Sequence, residues 1–524
     1  MIIADTRLSQ LLHRWSKENP YLSVTAAAAI VYATWKLARR QRSKTTVDSA
    51  LVPSLVPGGV PFFGHMLALS KDPEGFINKA TADYGNAFRI RIPGQDPYVV
   101  CGPLVAEVLT SSTRLLSFND GIQTVVPMYR VIHTCYDHKF IGEGTSPREK
   151  NPVSYPIKQN FKPHLLGVFT ERMQTAFLNY LNKEIVLAPN EQRTVDVWRF
   201  FTRGVSHVSC PCFAGSKVGN DQELIESMAV FTQKIVKAGL MLSFFPTWLG
   251  NFVVKRFYSV EGELDLIMKL LLPELRRMRN NPDHVNDEVS FATMTLNMRK
   301  SDGSLRTPED AAFWFKDIAL ASIHTTSHFA TFALHELACR PELVRALRQE
   351  LAKLDVRTPE NVGAIPLMDS FMRETLRWNG DYLGLHHLAL QDVALSNGQV
   401  IPKGSLVVLS VDQIHRGDYL GMSSMENKDT KPAWVFDPYR YVHDDKPSAV
   451  PDTGYIAFGL GAHACPGRYF AVKEIKYMMG EIVMRFDLKT QSGQRAKDVI
   501  AFGMNRFPPT EPIIFTGIST PSTS

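Results

Sequence analysis

Phe458-Gly-Leu-Gly-Ala-His-Ala-Cys465-Pro-Gly467-Arg468 reads as a loop that presents one cysteine sulfur and then turns into a helix. Gly459 and Gly461 allow backbone angles and close approaches that a side chain would block. Pro466, directly after the cysteine, suits the first turn of a helix. A thiolate at a helix N-terminus is favoured by free backbone N–H groups and by the helix dipole. Gly467 lets backbone pass close to whatever the sulfur binds, and Phe458 is placed to pack beside the sulfur and keep water away. A lone cysteine in a glycine-rich turn is ordinarily a buried structural thiol. A thiolate offered to a metal is the other reading, and the residue types around Cys465 leave both open.

Upstream, Thr307-Pro-Glu-Asp310 is a strong helix start, with an N-cap, proline at the first position and acids in the first turn. The helical pattern runs to Cys339, where Arg340-Pro341 ends it or restarts it as a new helix. About 30 residues make ~45 Å, enough to cross a domain. Apolar flanks almost all round predict a buried helix, yet its middle reads Ala321-Ser-Ile-His324-Thr325-Thr326-Ser327-His328. Hydroxyls in a buried helix can take carbonyls from the ladder and open a local bend. Such a patch either holds dioxygen and a water or is satisfied by its own helix. Between helix and loop, Asp369-Ser-Phe-Met-Arg-Glu374-Thr-Leu-Arg377 places Glu374 and Arg377 on one helix face, and Phe436-Asp-Pro-Tyr-Arg440 follows.

Phe-x-x-Gly-x-x-x-Cys-x-Gly, the threonine pair in a long helix, and Glu-x-x-Arg followed by Phe-x-Pro-x-Arg occur over roughly the C-terminal 220 residues; together they resemble the cytochromes P-450. The resemblance implies a mainly α fold with a small β portion and a long central helix. It implies haem b with Cys465 as the axial metal ligand, a thiolate that favours O–O cleavage. Phe458, Gly461, His463, Gly467 and His387 then contact the cofactor. Thr325 falls on the hydroxyl that handles protons beside the haem, with His324 and Ser322 shaping protons and water. Glu374, Arg377 and Arg440 become a buried brace behind the haem. The chain also departs from the family pattern. Ser322 stands for the usual glycine, His324 for the acid, and His387 and His463 for arginines that meet the haem propionates. The family's Trp-x-x-x-Arg clamp is not visible, and Lys158 is its candidate substitute.

The implied activity is insertion of one oxygen atom from O2 into an apolar small-molecule substrate. Electrons come from NADPH through a separate NADPH-cytochrome P-450 reductase, since no GxGxxG loop is evident and no fused flavin domain follows. Lys473 and Lys476 either help dock that partner or are solvated lysines. Histidine before the threonine pair, with His463, resembles fungal enzymes of secondary metabolism and points to a terpenoid or related product. Two alternatives stay open: a reductase-independent haem-thiolate isomerase or dehydratase, and a non-catalytic haem-binding protein.

Composition agrees with a large globular core: 44% hydrophobic and 21% charged residues in 524. A net charge of +6 is too small to argue for nucleic acid. Six cysteines in so long a chain are no disulfide framework, and Cys210-Pro-Cys212 lacks the second pair a zinc site needs. Asn19 to Trp35 is free of charge and followed by Lys36, Arg39, Arg40, Arg42 and Lys44. That pattern predicts a single N-terminal membrane helix with the catalytic body cytoplasmic, at the endoplasmic reticulum; a cleaved signal peptide fits the long, partly acidic start poorly. The expected divisions are residues 1–45 for the anchor and its basic flank, 46–64 for a Pro-rich hinge and 65–524 for the haem-thiolate catalytic domain. Within that domain the pattern predicts a hairpin about Pro93-Gly94, a long loop from Phe118 to Thr145, and helices at Tyr155 to Lys183 and Leu224 to Val236. The aromatic run from Phe244 to Val254 is either a lid that can dip into a membrane or core packing.

Overall fold

The computed structural model describes residues 47–136, 153–245, 247–281, 288–300, 302–417 and 431–518. It is mainly helical, 54% helix against 12% strand, as the resemblance implied. The anchor expected near Asn19 to Trp35 lies outside the described residues, as do 137–145 of the expected loop. No helix among the described residues is long and apolar enough to cross a membrane.

Strands β1 (Ala87–Arg89) and β2 (Tyr98–Val100) form the expected antiparallel hairpin. With β3 (Leu116–Ser117), β4 (Leu383–Ala389) and β5 (Leu406–Ser410) they build a sheet in the order β1-β2-β5-β4-β3. The Pro-rich arm is stitched to its edge: the Arg89 N–H donates to Ser54 O at 2.7 Å, and His65 Nδ1 accepts from the Arg91 N–H at 2.8 Å. Strand β4 shifts register between Gly384 and His387, with Leu385 at φ 49°. An irregularity of this kind re-aims the side chains beside it, here His386 and His387.

Two sequence expectations need correction. Most of the predicted loop is helical, as α1 (Phe118–Val125) and α2 (Met128–Cys135). Ser117 caps α1 by accepting from the Asp120 N–H at 3.2 Å, and Pro127 separates the pair. Helices of about two turns are too short to show a sustained period. The predicted single helix from Tyr155 is instead α3 (Ser154–Asn160) and α4 (Thr170–Glu184), with a tight 3-10 turn at Pro163–Phe169 between them. Pro163 forces Lys162 into extended backbone, φ −76° and ψ 150°.

Helices α5 (Val197–Ala214), α6 (Gln222–Phe244) and α8 (Glu261–Asn280) pack against the central helix α9 (Pro308–Ala338), and α7 (Thr247–Phe257) rests on α6 and α2. Capping starts α9 as the sequence predicts: Thr307 Oγ1 accepts from the Asp310 N–H at 3.1 Å, and Asp310 returns an acceptor to the Thr307 N–H at 3.2 Å. Its C-terminal half is buried continuously from Ala330 to Ala338. Fully covered side chains such as Phe332 and Leu334 each contribute about 1.5–3 kcal/mol. Helices α10 (Pro366–Trp378) and α11 (Arg468–Val483) also pack on α9. The aromatics of α7 do not pack into the core: Trp248 and Phe252 of the run, and Phe257 after it, are 68%, 62% and 66% exposed, and among the helix's described side chains only Val254 is fully buried.

Candidate active site

The cysteine loop enters α11 with Gly459 at φ 70° and Gly461 at φ 59°, angles that L side chains resist. The Cys465 N–H donates to Phe458 O at 2.7 Å, and Arg468 Nη1 donates back to Cys465 O at 2.7 Å. These bonds close the loop around the sulfur. Cys465 is the one exposed cysteine among the described residues. It is nevertheless closely surrounded by protein: burial pushes its thiol up, opposed by the Gly467 and Arg468 N–H groups and the Arg468 charge. A cysteine that is exposed at one side and yet closely surrounded by protein sits in a recess. A Cβ at Gly467 would meet nothing within 4 Å, so the recess opens there as well.

Helix α9 is buried along most of its length, but Ala321 and Thr325 at mid-helix are exposed. They lie i to i+4, one above the other on the same face. The Thr325 hydroxyl donates to Ala321 O at 2.6 Å, which leaves its lone pairs for an acceptor role. His324 and Ser322 join other partners. The His324 ring meets Trp198 of α5 edge-on at 5.6 Å, and Ser322 Oγ pairs with Ser209 Oγ of α5 at 3.0 Å. No described hydrogen bond links either residue to Thr325. Burial pushes His324 down, and its Nδ1 is without a partner.

His387 and His463, far apart in sequence, come together. Their ring centroids are 4.8 Å apart in a T-shaped contact. His387 Nδ1 donates to Leu385 O at 2.6 Å, while its Nε2 is buried without a partner. Burial first, and then neighbouring His463, push His387 down to about 4. His463 Nε2 lies 3.2 Å from Ser111 O, and Lys158 Nζ reaches Ala462 O at 3.4 Å. Sequence reasoning missed the residue that sets this up. Gly121 of α1 presses against β4 so closely that a Cβ would sit 2.6 Å from His387 Cα. In sequence it is a glycine in a stretch that reads as a loop, where glycine carries no signal.

Behind the loop, Glu374 and Arg377 of α10 are buried and joined by two bonds of 2.7 Å. Arg440 Nε lies 3.3 Å from Glu374 Oε2, and the Asp437 N–H donates to Glu374 Oε1 at 2.7 Å. Arg377 also donates to the carbonyls of Ala433, at 2.7 Å, and His415. An open groove of about 800 Å³ between α6 and α8, lined by Glu223, Glu226, Glu263 and Asp265, contains none of these residues.

A recessed cysteine at a helix mouth, a long buried helix with an open hydroxyl face, and a buried Glu-Arg-Arg brace define a haem-thiolate protein. The cytochrome P450 family model matches residues 53–510, and the chain belongs to the cytochrome P450 family. It is 27% identical over 488 residues to cytochrome P450 monooxygenase 103 of Postia placenta, covering 88% of this chain and 91% of that one. It is 27% identical over 315 residues to cytochrome P450 monooxygenase atmQ of Aspergillus flavus, covering 56% of each. A retinoic acid bound cyanobacterial CYP120A1 shares the fold, with a TM-score of 0.63 at 20% identity, over 89% of this chain and 99% of that one. Members of the family are monooxygenases that use haem with a cysteine thiolate and take NADPH electrons through a reductase. The residues here fit that group: an exposed cysteine closely surrounded by protein, open space at Gly467, and an orphaned polar atom at His387 Nε2.

Proposed function

We propose that this chain is a membrane-bound monooxygenase acting on an apolar substrate, a fungal terpenoid or related secondary metabolite. The recessed Cys465 sulfur carries the proposal. Cys465 would hold the haem iron, with Phe458, Gly461 and Gly467 packed around it. His387 and His463 would meet the propionate edge. Because His387 Nδ1–H is committed to Leu385, Nε2 can donate to a carboxylate only as imidazolium. A bound propionate would therefore draw a proton onto His387. When bound, haem b supplies the oxygen-activating chemistry. Thr325, an exposed residue with a hydroxyl, would face the bound group with exposed Ala321 beside it, and His324 and Ser322, held by α5, would shape that side.

Electrons would come from a separate NADPH-dependent reductase. Lys473 and Lys476 are weak candidates for docking it, because Lys473 is paired with Glu360 at 2.6 Å and Lys476 is buried against Asp369 at 2.7 Å. An anchor within residues 1–45 and a hinge at 46–64 would hold the catalytic body, from residue 65 on, at the endoplasmic reticulum surface. The exposed aromatic face of α7, flanked by exposed Lys255 and Arg256, supports a second contact with lipid.

Product profiling with a reductase, NADPH and a set of terpenoids tests this proposal. The expected product is heavier by one oxygen atom and forms only with NADPH. Rearranged or dehydrated product formed without NADPH would contradict it.

A further inference from the structure

One turn before Ala321 and two before Thr325, α9 carries a charged pair inside the protein. Lys316 is 2% exposed, and its Nζ donates to Asp317 Oδ2 at 2.6 Å. The ammonium sits 3.6 Å from the centroid of the Phe313 ring and 4.9 Å from that of Trp314, so aromatic faces take its remaining side. Asp317 is 15% exposed. Its Oδ1 accepts from no described residue. Burial pushes Asp317 up and Lys316 down, and their mutual attraction opposes both shifts. Tyr129 of α2 senses the carboxylate: burial first, then Asp317 and Asp120, push its phenol up.

Asp317, Ala321 and Thr325 stand at i, i+4 and i+8, so they share one face of the helix. Ala321 and Thr325 are exposed and Asp317 is part-exposed, whereas Phe313, Phe315, Ala319 and Ile323 are buried. An ion pair in such a place is expensive to desolvate, and an apolar pair of similar volume would be neutral or more stable. Packing therefore gives no reason for it. One carboxylate oxygen has no hydrogen-bond partner among the described residues, and Asp317 shares a helix face with Thr325.

We propose that Asp317 Oδ1 anchors a neutral hydrogen-bond donor, a hydroxyl group, at the far end of an otherwise apolar substrate. The Lys316–Asp317 pair has no net charge. A cationic substrate would leave one uncompensated charge in a desolvated site, whereas a hydroxyl leaves none. Eight residues separate Asp317 from Thr325, about 12 Å along the helix. The anchored hydroxyl therefore lies about that far from the carbon presented beside Thr325. The substrate is an apolar scaffold that an earlier oxygenation has already marked at one end.

This inference rests on the monooxygenase proposal, and the test keeps the two apart. Androstanol, its methyl ether and the parent hydrocarbon androstane are rigid probes of suitable length. Their affinities for the haem-loaded enzyme are read by haem absorbance and by tryptophan fluorescence. Androstanol is expected to bind roughly tenfold tighter than the ether or the hydrocarbon, the scale of a hydrogen bond to a charged group. In the double variant Lys316→Met/Asp317→Leu the three probes should bind within about twofold of one another. Asp317→Asn, which keeps an acceptor oxygen without the charge, should retain part of the preference. Equal affinities in the unaltered enzyme, no saturable binding of any probe, or a preference that survives the double variant would overturn the anchor. Failure of the haem-thiolate assignment would show separately, as a reduced, CO-bound spectrum without a thiolate signature whatever the probes do.

Discussion

The brace on α10 and the middle of α9 are both buried and both polar, and they treat hydrogen bonds in opposite ways. Around Glu374 each carboxylate oxygen has partners: Arg377, Arg440 and the Asp437 N–H. On α9 the hydroxyls of Thr326 and Ser327 and His324 Nδ1 have none, and Thr325 faces open space. A satisfied network holds a shape, because removing one member strands the others. An unsatisfied one leaves capacity for something that arrives later. The first region is scaffold, and the second is where we propose that ligand and chemistry belong.

Breaking the scaffold should have the largest effect. Glu374→Ala strands Arg377 in the core, and a loss of about 3–5 kcal/mol is expected, with no haem retained. Urea unfolding and the Soret absorbance of the purified protein measure this. A variant that loads haem normally would show that the brace is dispensable.

Acid should act next. His415 is buried behind the loop, and its Nε2 accepts from the Ile456 N–H at 3.0 Å, a role only the neutral ring can fill. Burial first, and then Arg377, push it down to about 3. An unfolded histidine titrates near 6.5. Between those values the unfolded chain takes up a proton that the folded chain refuses, so stability rises with pH. The contribution is fully present above about 6.5 and is lost as pH falls toward about 3. For His415 the loss is about 2 kcal/mol at about pH 5. His415→Gln should flatten the pH dependence of urea unfolding by that amount, and an unchanged slope would contradict the assignment.

The open region should respond in function rather than in stability. Thr325→Ala removes one hydrogen bond at an exposed position, so unfolding should shift by about 1 kcal/mol or less. NADPH consumption without matching product should increase, and Thr325→Ser should restore coupling. The smallest stability effect is expected on α7. Trp248→Ser with Phe252→Ser changes exposed side chains only, within about 0.5 kcal/mol. Flotation with phospholipid vesicles should nonetheless show weaker binding of a chain lacking residues 1–45. Equal binding would remove α7 from the membrane contact.

The scaffold was the more legible region in sequence. Its signals are local: Thr307 with Asp310 at a helix start, Arg340-Pro341 at its end, Glu374 and Arg377 one turn apart, glycines spaced around Cys465. Short helices were not legible, since α1 and α2 end before a period can establish itself. Pro163 carried a signal for the break before α4 that the surrounding helical pattern obscured. The partners of Ser322, His324 and Lys476 could not be read at all, because Ser209, Trp198 and Asp369 approach them from distant parts of the chain. Asp317 lay in plain view at i−8 from Thr325. Its burial and its pairing with Lys316 gave it meaning only in three dimensions.

The central claim is that Cys465, at the floor of its recess, is the thiolate ligand of a haem. The reduced, CO-bound absorbance spectrum of the purified protein tests it most directly, set beside that of Cys465→Ala. The unaltered chain should show the red-shifted Soret band of thiolate ligation, and the variant should lose it. A folded, haem-loaded protein without that band, or a variant that keeps it, would contradict the account.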